Sequence, residues 1–414
     1  MIIQRENYYK KIKSAFLYLP TVTLIGARQV GKTTIMKSCD LDGEQLFLNG
    51  QDPEVAAIFQ KYSNLLNYLK TNLNPSLKGY LLIDEFQYIP NISTMLKILS
   101  DNHEELKILC SGSSSLDIIQ KVEESLAGRI RIIDVYPLSF EEYLKFADDR
   151  LYDLFLRYDI DSTEEIVAPE IPLILNEYLV CGGFPRVALA GKIDDKIELL
   201  DDIYRTYLLR DVRNYVRNED TVGFNKLMRT LSYQISNLMN INNLSKLTGL
   251  SYKKCEEYLY LLEQMCIIKT VPPFYTNRKK VISKMKKIYF IDLGLRNIIY
   301  NSFNEIEFRV DNGMIFENFV FLEIMKNIAK SSHLYFYRTK DGSEIDFVVD
   351  NLMRKFAIEV KYQRFSKATG VRNIVNFVKD EYIAESYLIN INLNSVFGKI
   401  KYLPAFLTSK IDFS

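Results

Sequence analysis

The chain has 414 residues, 48% of them hydrophobic and 25% charged, with a formal net charge of +1. This balance excludes an extended disordered protein and makes no global demand for a nucleic-acid or membrane surface, so any basic face must be local. Five cysteines with no Cys-x-x-Cys pair argue for a reducing compartment and against a zinc ribbon, and two histidines exclude a histidine-rich metal centre. A bound metal would sit on carboxylates, which points to Mg2+ or Mn2+. The first residues, Met-Ile-Ile-Gln-Arg-Glu-Asn, lack a signal-peptide core and no long apolar run occurs, so the expected location is cytoplasmic with no membrane partner.

Val22-Thr23-Leu24-Ile25 reads as a short buried strand and Thr34-Ile35-Met36 as the opening of a helix. Between them, Gly26, Ala27, Arg28, Gln29, Val30, Gly31, Lys32 and Thr33 spell the P-loop pattern, running on into Thr34. In that setting loop N–H groups and the helix N-terminus cradle phosphate oxygens. Lys32 reaches the β- and γ-phosphates, and the Thr33 hydroxyl holds Mg2+. Leu81-Leu82-Ile83-Asp84-Glu85 is an apolar strand ending in two carboxylates. Asp84 is expected in the Mg2+ shell, with Glu85 as the general base that activates the attacking water. These residues together predict ATP as the ligand.

Leu106-Lys107-Ile108-Leu109-Cys110 reads as another buried strand, followed by a serine-rich turn. Ser113 is a candidate for sensing the γ-phosphate, although a plain turn has the same composition. Arg129, just before the strand that starts at Ile130, is a candidate finger for phosphoryl charge in a neighbouring subunit, or else an ordinary surface arginine.

The strings GARQVGKTT, LLIDEFQYIP, ILCSGSSS, LAGRIRIIDVYPLSFEEYL and CGGFPRVAL resemble the AAA+-type P-loop ATPases that carry a C-terminal domain of unknown function of the DUF4143 type. The likeness covers nearly the whole chain. It implies that the Gly-Gly-Phe-Pro segment lies in a helical lid over the nucleotide, with Arg186 as a second sensor; Gly182-Gly183 also reads as a helix stop. It further implies a ring or dimer of identical chains.

From about 150 to 220 the sequence is helical and highly charged, as a lid would be. Phe224, Leu227, Met228, Leu231, Ile235 and Leu238 follow at helical spacing. A short helix around Asn243–Leu247, a turn at Gly249, and a helix capped by Ser251 that buries Leu259 and Leu262 make a helix-turn-helix pattern. The strand Ile267–Val271 and Pro272-Pro273 suggest a wing, beside the basic run Arg278, Lys279, Lys280, Lys284, Lys286 and Lys287. Such a wing would meet DNA phosphates, with little base readout from the third helix. Winged helices also serve as protein-binding modules, and charge runs are often merely solvated.

Two alternating segments follow. Ile345, Phe347 and Val349 share one strand face with Asp346 on the other, while Phe356, Ile358 and Val360 oppose Glu359 and Lys361. A hairpin centred between Leu352 and Met353 sets Asp346 across from Glu359. This arrangement resembles the PD-(D/E)xK nuclease superfamily, which implies Asp346, Glu359 and a helix-borne Glu317 as metal ligands and Lys361 as the catalytic lysine. Ile345 replaces the proline of that pattern. Simple cross-strand pairing of Asp346 or Glu359 with Lys361 explains the same residues without a metal.

The expected fold class is α/β: a P-loop NTPase (AAA+-like) domain over 1–150, a helical lid over 151–220, a winged helix-turn-helix over 221–300 and a restriction-endonuclease-like domain over 301–414. Two functions remain open. One is an ATP-hydrolysing enzyme that acts on DNA and cuts it with Mg2+. The other is an ATP-operated switch with an inert nuclease-like fold and a protein partner for the winged helix.

Overall fold

The computed structural model describes residues 4–113, 126–161, 168–274, 285–339, 342–380 and 383–413. They form two compact units, one reaching Tyr136 and taking in Gln264–Cys266, the other built from Pro137–Glu263 and the residues from Ile267 onward. Among the described residues no helix is long and apolar enough to cross a membrane.

The first unit is built on β1 (Thr21–Gly26), β2 (Gln45–Asn49), β3 (Gly79–Asp84), β4 (Leu106–Ser113) and β5 (Ile130–Asp134). Their order is β2-β3-β4-β1-β5 and every pair is parallel. A parallel sheet needs cover on both faces, which explains why β1 is buried at every position. Leu65, Leu69, Leu96 and Leu99 from the helices Tyr62–Asn72 and Ile92–Asn102 pack against Leu81, Ile83 and Ile108. Each such side chain contributes on the order of 1.5–3 kcal/mol of transfer free energy. The order inserts β4 between the strand that feeds the P-loop and the strand that ends at Asp84. The loops that follow β1, β3 and β4 thus open at the same edge, where parallel α/β sheets bind ligands.

The second unit opens with the helix Phe140–Ala147, which starts in a reciprocal cap: Glu142 N–H donates to Ser139 Oγ at 3.2 Å and Ser139 N–H to Glu142 Oε2 at 3.0 Å. Helices follow at Asp149–Arg157, Glu170–Cys181 and Ile193–Ile203, then at Thr221–Tyr233, Ile241–Thr248 and Tyr252–Gln264. The Thr221–Tyr233 helix ends before Ile235 and Leu238, which the apolar spacing had placed on it; Ser236 takes a positive φ of 62° and breaks the run. Gly249, at φ 78°, makes the turn between the next two helices, and Ser251 Oγ accepts from Lys254 N–H at 3.3 Å.

β6 (Ile268–Val271) and β7 (Lys287–Phe290) form an antiparallel pair. Arg278, Lys279, Lys280 and Lys284 lie outside the described residues. The chain after β6 continues along the next sheet: Phe274 N–H donates to Phe336 O at 2.5 Å and Phe336 N–H to Pro272 O at 3.1 Å. That sheet holds β8 (His333–Arg338), β9 (Glu344–Asp350), β10 (Lys355–Val360), β11 (Glu385–Asn390), β12 (Ser395–Phe397) and β13 (Ile400–Pro404), in the order β12-β13-β11-β10-β9-β8. β9 is antiparallel to both β8 and β10, whereas β10, β11 and β13 run parallel.

The β9–β10 register, Lys355 with Asp350 through Ile358 with Phe347, is that of a hairpin centred between Leu352 and Met353. Its second face is not solvated. Val348 and Ala357 on that face pack with Ile374 and Phe377 of the helix Arg372–Asp380, so both faces are core. The helix Asn312–Asn327 is tied to β7 through Asn318, which accepts from Phe290 N–H at 2.8 Å and donates to Phe290 O at 2.9 Å.

Candidate nucleotide site and carboxylate cluster

The P-loop turns on two residues of positive φ, Gln29 at 63° and Gly31 at 93°, the latter opening the helix Lys32–Ser38. Successive αR and αL residues point their N–H groups to one side and form an anion cradle. Gly26 has no room for a side chain, because a Cβ would run into the Val135 carbonyl. Lys32 is buried and its ammonium donates to Gly26 O at 3.0 Å and Ala27 O at 2.7 Å. Burial lowers its pKa to about 8, opposed by Glu85 and Asp84. Behind the loop, the buried Arg5 guanidinium donates to Val30 O at 3.1 Å and Tyr136 O at 2.9 Å. Ala27 and Val30 are buried, while Gln29 and Thr34 are exposed; Arg28 donates to the Tyr88 hydroxyl at 3.3 Å.

Thr33 Oγ1 donates to Asp84 Oδ2 at 2.8 Å, and Ser111 Oγ donates to the other oxygen of the same carboxylate. Glu85 follows in a left-handed conformation, φ 50° and ψ 43°, which a non-glycine residue holds at a cost of about 1–3 kcal/mol. Gly50 lets the chain pass there, since a Cβ would meet the Glu85 carbonyl at 2.5 Å. The Gln87 amide donates to Glu85 Oε2 and, at 3.1 Å, to Ser113 Oγ. Lys32, Thr33, Asp84, Glu85 and Ser113 thus meet at one edge of the sheet. Ser111 and Gln87 belong to the same network. The sequence reading ended the strand at Cys110 and passed over both; β4 in fact runs to Ser113.

Arg129 does not join this group. It precedes β5, whose Ile130 pairs with Thr21 at the start of β1, whereas the P-loop follows the end of β1. At about 3.3 Å per residue the two ends of the strand are roughly 17 Å apart. The Arg129 guanidinium binds Asp101 and, at 3.3 Å, Ala127 O. Arg186 lies exposed on the short helix Pro185–Ala188 of the second unit. The preceding Gly182 and Gly183 end the Glu170–Cys181 helix against Asp292, whose Oδ2 accepts from Gly183 N–H at 2.7 Å. Asp292 Oδ1 caps the helix Leu293–Tyr300 through Leu295 N–H at 2.8 Å.

The second unit gathers Glu317, Glu344, Asp346 and Glu359 with two lysines. Lys361 pairs with Glu359 Oε1 at 2.6 Å. Lys287, read from the sequence as part of a basic wing, is buried in the cluster instead. Its ammonium lies 3.0 Å from Glu317 Oε1, 2.6 Å from Glu344 Oε1 and 3.4 Å from Asp346 Oδ1. The Tyr289 hydroxyl, two residues on along the same strand face, donates to Glu317 Oε1 at 2.7 Å, and Val360 N–H donates to Asp346 Oδ2 at 2.8 Å. Burial, reinforced by Asp346, pushes Glu317 up to about 8 and Glu359 up to about 7. Burial alone would lower Lys287, but Glu317, Asp346 and Glu344 reverse this and raise it.

Glu359 Oε2 is buried without a hydrogen-bond partner, the kind of atom a cation would satisfy. The rest of the cluster does not fit one. Asp346 has both oxygens engaged, an ammonium stands between Asp346 and Glu317, and among the described residues no group of three metal-binding side chains is arranged to hold a metal. The structure thus brings Glu317, Asp346 and Glu359 together around two lysines, with Lys287 between the first two. Lys287 was missed because its strand gives no local sign of where its side chain ends. A motif search for alternation would have paired Lys287 with Tyr289 on one face.

Comparison with known proteins matches residues 19–144 to an AAA domain, residues 312–405 to a domain of unknown function (DUF4143) and residues 173–305 to another (DUF8612). An uncharacterized protein of Methanocaldococcus jannaschii is 28% identical over 382 residues, 90% of this chain and 81% of its own. An uncharacterized protein of Mycobacterium tuberculosis is 24% identical over 364 residues, 87% of this chain and 74% of its own. Among solved structures, a Walker-type ATPase of Pyrococcus abyssi aligns at 13% identity and a TM-score of 0.49, covering 72% of this chain and 96% of that one.

Proposed function

We propose that this chain, which matches an AAA domain over 19–144 and DUF4143 over 312–405, binds and hydrolyses ATP in its first unit and acts as an ATP-operated switch. The observation that carries the ATPase reading is the Thr33–Asp84 hydrogen bond of 2.8 Å, with Glu85 next in the chain. Thr33 and Asp84 are hard oxygen donors side by side and would hold Mg2+, which when bound neutralises charge on the β- and γ-phosphates. Loop N–H groups orient the triphosphate, Lys32 leaves the Gly26 and Ala27 carbonyls for the phosphates, and Glu85 takes a proton from the attacking water. Ser113, held through Gln87 to Glu85, is suited to report the γ-phosphate to the base. Phosphate release from Mg-ATP by the wild type, absent in Lys32→Ala, tests the reading; no release from either protein would refute it.

For the second unit we take the interaction-module reading over a Mg2+- or Mn2+-dependent nuclease acting on DNA. Supporting it, Lys287 is buried among the carboxylates rather than offered to phosphates, and β6 runs on to pair with β8 through Pro272 and Phe274. The nuclease reading keeps one observation, the unpartnered Glu359 Oε2 beside Lys361. Incubation of single- and double-stranded DNA with Mg2+ or Mn2+, with and without ATP, separates the two. Cleavage that Asp346→Ala abolishes would establish the nuclease, and none under any condition supports the switch.

A further inference from the structure

We infer that the Lys287 ammonium is the resident cation of the carboxylate cluster, seated where a divalent ion would have to stand, so that this unit takes up no divalent metal while the lysine is in place. The inference deepens the reading of the second unit just given and is independent of ATP hydrolysis.

The spacing of the oxygens is the first support. They stand 2.6, 3.0 and 3.4 Å from the Lys287 nitrogen; the first two lie close to the length of charge-assisted N–H···O bonds, about 2.7–2.9 Å, and the third is a looser ion pair. Mg2+ demands oxygens at about 2.0–2.1 Å in near-octahedral order. The donors around the lysine match the same purpose. Tyr289 and Lys287 both donate to Glu317 Oε1, and Val360 N–H fixes Asp346, so the carboxylates are oriented by protein hydrogens.

The anchoring of the lysine is the second support. Its main chain is held on one side by pairing with Val271 of β6 and on the other by a bridge to Leu238. On the Leu238 side, Ser236 N–H donates to Ile288 O at 2.7 Å and Met239 N–H to Lys286 O at 2.8 Å, which fixes the strand just before and after Lys287. Nζ also lies 5.7 Å from the centre of the Phe336 ring. Withdrawing the ammonium would leave Glu317 and Asp346 facing each other in a buried place with only Lys361, itself paired to Glu359, as a nearby countercharge, which is unfavourable. The lysine therefore plays the part that a metal plays in other carboxylate sites: it neutralises them and holds them together.

The test is Mn2+ binding to the full chain without nucleotide, read by the electron paramagnetic resonance of free Mn2+, for the wild type, Asp346→Asn and Lys287→Met. Wild type is expected to show no Mn2+ uptake that depends on Asp346, and Lys287→Met to gain Mn2+ uptake that the wild type lacks. Uptake by the wild type that Asp346→Asn removes would overturn the inference, as would a folded Lys287→Met that gains no binding. Uptake that survives Asp346→Asn belongs elsewhere, at the P-loop, and supports it. If Lys287→Met does not fold, the wild type and Asp346→Asn decide the matter between them.

Discussion

The Thr33 hydroxyl and the Asp84 carboxylate meet at 2.8 Å, joining the first turn of the P-loop helix to the end of β3. The contact brings together two residues fifty-one positions apart, and Ser111 holds the carboxylate from the other side. Asp84→Asn is therefore expected to lower Mg-ATP hydrolysis by about two orders of magnitude or more, since it removes the charge that would hold the metal on the phosphates. The check is phosphate release against Mg2+ concentration.

Glu85→Gln separates binding from chemistry. It keeps the shape of the side chain but not its basicity, so nucleotide affinity is expected to stay close to wild type while hydrolysis falls by about 10²–10⁴. Gln87→Ala is expected to act through Glu85 and Ser113, which the amide holds together. It should alter single-turnover hydrolysis more than nucleotide binding, and rescue by Gln87→Asn would be partial because of its shorter reach.

In the second unit, Asp311 joins two buried arginines. Arg309 grips it through Nε and Nη2, both at 2.9 Å, and Arg296 Nη1 reaches it at 2.5 Å. Asp311→Ala would strand both guanidinium groups in the interior, at a cost of about 3–5 kcal/mol. Burial alone would raise the Asp311 pKa, but Arg309 and Arg296 outweigh it and hold the carboxyl below its usual value. A carboxyl depressed in the folded state stabilises fully above its unfolded value, about 3.9, and loses that contribution as pH falls through the folded value. Urea unfolding of wild type and variant should therefore differ most near neutrality and converge in acid.

Gly182→Ala tests the junction of the Gly-Gly-Phe-Pro segment with Asp292. Gly182 has φ 74°, and a Cβ there would overlap the Asp292 carboxylate. Loss of about 2 kcal/mol or more is expected from strain and overlap together. Gly191→Ala, where an added Cβ meets nothing within 4 Å, should stay within about 0.5 kcal/mol of wild type. Thermal unfolding of the two variants makes the comparison.

Some of this was legible in the chain itself. A P-loop is a contiguous run whose glycines and helix start are set by local dihedral preferences, so Gly26 through Thr34 could be read directly. Asp84 and Glu85 were legible because an apolar strand announces its own end, and the β9–β10 register because a short hairpin centred between Leu352 and Met353 allows little else. Lys287 was not. Whether Lys287 faces water or Asp346, fifty-nine residues away, depends on which face of β7 the helix Asn312–Asn327 and β9 cover. Local residue pattern carries backbone conformation and short-range pairing; which distant charges share a low-dielectric interior is decided by strand order and packing, and only the tertiary structure supplies those.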